Sequence, residues 1–173
     1  MSAPAAVEQA RVALASGTRF LSAELGGRAL PAAWTHRNAA LVRARYLGNC
    51  LSEVNRFFNN LLDALDPQAS PGKNNSVNKL TALQHMPPPT PSTALRLRAL
   101  GRSSACLRYC YGTVRRTDDP AAGWMTAGWI DPATGALRRY LLGEQLSPEP
   151  VDIVDICGFY DDLAGSLGAD KAP

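Results

Sequence analysis

Ala40, Ala44, Leu47, Leu51, Val54, Phe58, Leu61 and Leu65 follow one another at alternating steps of four and three, and nothing else in the 173-residue chain constrains its fold as strongly. A stripe with that period lies along one side of an α-helix and has to be covered by other helices. Pro31 suits a first helical turn and Asp66-Pro67 ends the run, so the spacing predicts a helix over about 32–65. Candidate partners carry the same rhythm. Val7, Ala10, Leu14, Gly17, Leu21 and Leu25 predict a helix over about 4–25, stopped by Gly26-Gly27. Leu97, Leu100, Ser104, Leu107, Tyr111 and Val114 predict one over about 92–116, opened by Thr90-Pro91. Ile153, Ile156, Tyr160, Leu163 and Leu167 predict a last helix over about 149–167, opening at Ser147-Pro148.

Between these runs, 66–76 is a polar loop, and Ser76 is placed to cap a short helix over about 77–86 bearing Val77, Leu80 and Leu83. Three consecutive prolines, 87–89, then stiffen a connector. From Gly123 the pattern changes to short aromatic and aliphatic runs flanking Asp131-Pro-Ala-Thr-Gly135, which reads as a β-hairpin over about 124–142 with a type I turn and a glycine bulge. The expected fold is mainly α. It is an antiparallel bundle of about four main helices in a single domain, 1–173, with one short helix and a small hairpin before the last helix.

Hydrophobic residues at 46% and charged residues at 19% fit a globular chain. No run approaches the roughly 20 apolar residues of a membrane span. Glu8 and Arg11 interrupt the stretch where a secretory signal would need an apolar core, so the expectation is a cytoplasmic protein with no membrane association. Cys50, Cys106, Cys110 and Cys157 are then expected as reduced thiols, with no metal and no cofactor. Cys106 and Cys110 share a predicted helix face, but a tetrahedral zinc site needs two further ligands. His36 and His85, the chain's two histidines, read as exposed or capping residues. Arginine outnumbers lysine fifteen to three beside abundant alanine, which points to a GC-rich bacterial genome. Loops of the GxxxxGK[ST] and GxGxxG types are absent, as are HExxH, CxxC and GxSxG.

The net charge of +3 conceals a division. Residues 1–116 hold fifteen Lys and Arg against five Asp and Glu, and residues 117–173 hold three against ten. Either the acidic third folds against the basic part, or the basic part faces a polyanion. Arg96, Arg98, Arg102, Arg108, Arg115 and Arg116 fall on one predicted helix that has no acidic residue. At 100° per residue Arg98, Arg102 and Tyr109 lie within about 40° of one another. Arginine suits bidentate phosphate contact, and tyrosine stacks on a base or donates a hydrogen bond. Pairing of these arginines with Asp152, Asp155, Asp161 and Asp162 of the last helix is the competing expectation. Asn49, Glu53, Arg56 and Asn60 read as a solvated face, of which Glu53 and Arg56 would complete a polar cleft if the arginine helix packs beside it, and Trp124, Trp129 and Tyr140 read either as aromatic anchors of the hairpin or as an exposed patch for a partner protein.

The segment Arg102-Ser103-Ser104-Ala105-Cys106-Leu107-Arg108-Tyr109, on a late helix of a compact bundle, resembles the HEPN domains (higher eukaryote and prokaryote nucleotide-binding). These carry an arginine, a polar neighbour, and a histidine after four to six intervening residues. The resemblance implies RNA as ligand and, for many members, metal-independent RNA cleavage in toxin or defence systems. Tyr109 stands where the family histidine belongs, and an unperturbed tyrosine, pKa about 10, is a poor general base at neutral pH. Two readings follow. One is a non-enzymatic helical module that binds a protein partner or a second copy of itself. The other is an HEPN-like RNA-binding or RNA-cleaving domain, with Arg102 and Tyr109 as its candidate catalytic pair and Arg98, Arg102 and Arg108 on the nucleic acid.

Overall fold

The stripe of residues 40–65 is the centre of the bundle. A computed structural model describes residues 3–26, 37–68, 75–83, 86–118, 120–121 and 123–167. Its elements run α1 (Ala3–Gly26), α2 (Arg37–Leu65), α3 (Ser76–Ala82), α4 (Pro91–Tyr109), β1 (Trp124–Ile130), β2 (Leu137–Leu141) and α5 (Pro150–Ser166). Helix α2 packs on α1 along one flank and on α4 along the other, α1 packs on α5, and β1 lies across α4 and α5. Leu47, Leu51, Val54, Phe58 and Leu61 are buried as the period requires, together with Leu14, Leu21 and Leu25 of α1, Leu97, Leu100 and Leu107 of α4, and Ile153, Ile156 and Tyr160 of α5. Among the described residues, no helix is long and apolar enough to cross a membrane.

Polar groups fix how these elements meet. The Asn55 side-chain carbonyl of α2 accepts from Ser76 Oγ of α3 (2.6 Å) and from the Tyr160 hydroxyl of α5 (3.3 Å), joining three elements at one oxygen. Burial holds the Tyr160 phenol far above its usual pKa, so it stays a neutral donor. At the α2–α4 crossing, Ser104 Oγ donates to the Gly48 carbonyl at 2.9 Å. Gly48 has no room for a side chain there: a Cβ would lie 2.8 Å from the Arg108 backbone nitrogen and 2.9 Å from Leu107 Cβ.

Several expected boundaries move. The cap of α3 is Asn75, whose side chain accepts from the Asn78 N–H (2.8 Å), whereas Ser76 is inside the helix and bonds to Asn55. Helix α3 ends at Ala82 rather than near 86. Helix α5 opens at Glu149–Pro150 rather than Ser147–Pro148, through a capping box in which Asp152 Oδ2 accepts from the Glu149 N–H (2.8 Å). Thr90 and Pro91 cap and open α4 as expected.

The largest correction concerns residues 110–116, read above as the end of the arginine helix. Helix α4 stops at Tyr109. Tyr111 (φ 52°) and Gly112 (φ 81°) are both left-handed, and the Gly112 N–H returns to the Cys106 carbonyl (3.1 Å). The chain then runs extended beside residues 143–146. Leu146 N–H donates to the Gly112 carbonyl, Val114 N–H to Glu144, and Gly143 N–H to Val114, each at 2.8 Å. Val114 is buried, as its place in the stripe required, but by this ladder and not by a helix.

The hairpin forms where expected. Asp131 accepts from the Thr134 and Gly135 N–H groups, and Gly135 is left-handed at φ 68°. Trp124 pairs with Leu141, Met125 with Tyr140, Thr126 with Arg139 and Ile130 with Leu137, so β1 advances four residues while β2 advances two. This bulge turns the backbone of Gly128 towards α4. Its N–H donates to Ser103 Oγ (3.2 Å), and its carbonyl accepts from Arg96 Nε (3.2 Å). Trp129 is fully buried, with its indole N–H on the Tyr140 hydroxyl (3.1 Å), so these two are anchors. Trp124 is half-buried beneath the Arg139 guanidinium.

Candidate nucleic-acid interface

The break after Tyr109 makes a cleft. Arg102, Ala105, Cys106 and Tyr109 of α4 form one wall, Arg115, Arg116, Thr117 and Asp118 of the returning segment form the other, and Met125 of β1 also lines it, around a volume of about 680 Å³. Arg115 and Arg116 would have pointed along a continuous helix. They instead line the same cleft as Arg102 and Tyr109, so that three arginines and one tyrosine border a solvent-reachable space. Sequence reasoning placed these two arginines on the basic helix but did not place them opposite Arg102. The signal for it was the left-handed Tyr111–Gly112 pair, of which only the glycine is visible as a breaker.

Among the described residues, the cleft is lined by three arginines and one carboxylate, Asp118. Arg102 Nε is 3.3 Å from Asp118 Oδ1. Asp118 is itself held in place, because Oδ2 accepts from the Thr126 N–H (3.0 Å) and its own N–H donates to the Trp124 carbonyl (2.9 Å). The Arg102 Nε and Asp118 Oδ1 atoms are buried and lack an aligned hydrogen bond, so their contact is ionic in character. Arg102 is therefore oriented from β1, with its side chain still 38% exposed.

The remaining candidates separate. Arg98 is exposed further up α4 and does not line the cleft. Arg108 turns to the α2 side, where Nη1 donates to Ser52 Oγ (2.7 Å) and the guanidinium lies over the Tyr109 ring, 5.1 Å from its centroid. The acidic last helix takes up little of this charge. Asp155 pairs with Arg96, Asp152 approaches Arg138 at 3.9 Å, and Asp161 accepts from the Thr18 hydroxyl. Of the α4 arginines considered above, α5 thus engages Arg96 alone among the described residues. Asn49, Glu53, Arg56 and Asn60 are exposed on α2, and Glu53 pairs with Arg56 at 2.6 Å without joining the cleft. His36 and His85 lie outside the described residues.

All four cysteines are free thiols, and no group of three or more metal-ligating side chains gathers among the described residues. Burial and the neighbouring Cys110 push Cys106 up to about 11, and burial also raises Cys50 and Cys157. Since the thiolate is the nucleophile, alkylation of the folded protein with iodoacetamide near pH 8 is expected to modify the half-buried Cys110 ahead of Cys106 and Cys157. Peptide mass spectrometry reads the order, and all four should react alike in denaturant. Equal native rates at Cys106 and Cys110 would mean that the cleft opens down to Met125.

Comparison with protein-family models, with curated proteins and with solved structures finds no match to this chain.

Proposed function

We propose that this chain is a non-enzymatic binding module whose ligand is single-stranded RNA, held in the cleft between α4 and residues 115–118. The observation that carries this reading is the return of Arg115 and Arg116 opposite Arg102 and Tyr109. Three arginines along one groove suit contact with a phosphate backbone, and an exposed aromatic beside them suits stacking on its bases. The Arg102–Tyr109 segment on a helical bundle also resembles HEPN domains, with Tyr109 where those carry a histidine. Binding without cleavage is favoured because the cleft's carboxylate, Asp118, is committed to Arg102 and to the Thr126 N–H.

Three phosphate contacts predict a log–log salt slope of roughly −2 for a single strand, which is about a twentyfold loss of affinity between 50 and 200 mM salt. In Arg115→Ala/Arg116→Ala the slope is expected to flatten to about −0.7. Fluorescence anisotropy of a labelled oligoribonucleotide measures both. No binding at about 50 mM salt, or an unchanged slope in the double variant, removes the reading.

A second reading has its own observation. Val12 and Phe20 of α1 and Leu41 and Val42 of α2 are large apolar side chains left exposed, by 41 to 65%. Such surface favours a protein partner or self-association. Sedimentation velocity at increasing concentration tests the latter, and a monomer throughout leaves only a heterologous partner.

A further inference from the structure

We infer that Arg108 is a positioning residue for base stacking, and that the RNA recognised in the cleft presents an unpaired base to Tyr109; this rests on the RNA reading above. The Tyr109 side chain, at the last position of α4, is 71% exposed and lines the cleft. An exposed aromatic with no restraint would sample its rotamers freely and would lose that freedom on binding. Here one face of the ring is covered by the Arg108 guanidinium. That guanidinium is itself tied to the bundle through Ser52 Oγ of α2. Gly48 brings α2 and α4 close enough for this, since the stem of Arg108 runs over the space that a Cβ at Gly48 would fill. The ring is thus clamped from the α2 side, and its other face is left to the cleft. Its neighbour one turn earlier, Ala105, is small and exposed, so nothing bulky stands over that face from α4. A planar base entering beside Arg102 completes a stack of guanidinium, phenol and base. Arg108, charged but turned away from the groove, contributes no phosphate contact in this arrangement.

The test compares a hexamer of adenylate with an abasic ribose-phosphate hexamer of equal charge. The wild-type chain is expected to bind the adenylate hexamer about tenfold or more tightly. Tyr109→Ala should reduce the adenylate affinity to the abasic level, and Tyr109→Phe should retain the difference. Arg108→Met and Ser52→Ala should each narrow the adenylate advantage while leaving abasic affinity and salt slope unchanged, with thermal melting confirming that both fold. If neither hexamer binds, the RNA reading itself fails. Equal binding of the two overturns the stacking inference and leaves the cationic cleft standing. An Arg108→Met variant that weakens both hexamers equally and flattens the salt slope makes Arg108 a phosphate ligand and overturns the positioning role.

Discussion

Gly48→Val is expected to lower the stability of the folded chain by about 3 kcal/mol or more, the upper part of the range for overpacking a fitted interior. The substitution adds helix-forming capacity in the middle of α2, so a local view would have it stabilise. Tertiary contact decides otherwise. The first added carbon would stand 2.6 Å from Arg108 Cγ, 2.8 Å from the Arg108 backbone nitrogen and 2.9 Å from Leu107 Cβ. The Arg108 stem can bend away, but the α4 backbone and Leu107 cannot without separating the two helices. Separation also breaks the Ser104–Gly48 hydrogen bond inside the bundle and leaves both partners without water. Gly101→Ala is the matched control. It lies in α4 with nothing within 4 Å of the added carbon, so propensity acts alone and a gain of about 0.5–1 kcal/mol is expected. For a chain of this size about 1 kcal/mol corresponds to roughly 2–4 °C in Tm. Calorimetry should therefore move the two variants in opposite directions, with Gly48→Val lower by about 6 °C or more. Equal shifts would mean that the α2–α4 crossing is looser than the contacts at Gly48 imply.

That contrast shows what could be read before any coordinates. The helical seams were legible because burial imposes a period, and Leu47, Leu51, Val54 and Phe58 are buried as that period demands. The hairpin was legible because Asp131-Pro-Ala-Thr-Gly135 carries its own turn chemistry. Gly48 was not, because a glycine inside a seam looks the same whether it faces solvent or another backbone. Residues 110–116 misled for a related reason. Periodicity reports that Val114 is buried without saying by what, and an extended strand against residues 143–146 buries it as well as a helix turn would. The candidate site inherited this error. Of Arg98, Arg102 and Tyr109, which the helical angle groups together, Arg102 and Tyr109 line the cleft and Arg98 does not, and the opposing wall depends on Tyr111 adopting a left-handed conformation that its residue type disfavours. Arg108 shows a further limit. Its charge argued for phosphate, but the angle around α4 did not reveal that Ser52 would hold it on the other side.

The second large effect is expected at Trp129. It is among the largest fully buried side chains, and its indole N–H is hydrogen-bonded to the Tyr140 hydroxyl, with the two rings meeting edge to face at 6.1 Å. Trp129→Ala removes the hairpin's main anchor, and a loss of about 3–5 kcal/mol is expected from transfer and cavity terms. Since whole domains are stable by only about 5–15 kcal/mol, this variant should be partly unfolded at moderate urea. Trp129→Phe keeps most of the volume but removes the indole donor from the Tyr140 hydroxyl, which keeps the Arg138 side chain beside it, for an expected loss of about 1 kcal/mol. Urea denaturation followed by circular dichroism ranks the three proteins. The same strand carries the Thr126 N–H that holds Asp118, and Asp118 in turn orients Arg102 in the cleft. Trp129→Phe, with the hairpin still docked, should therefore bind RNA as the wild type does wherever it is folded. A Trp129→Phe variant that is fully folded and yet loses RNA affinity would show that the indole itself sets the position of β1 beneath the cleft. A Trp129→Ala variant losing less than about 1 kcal/mol would show that the contacts of Gly128 with Ser103 and Arg96 hold the hairpin on their own.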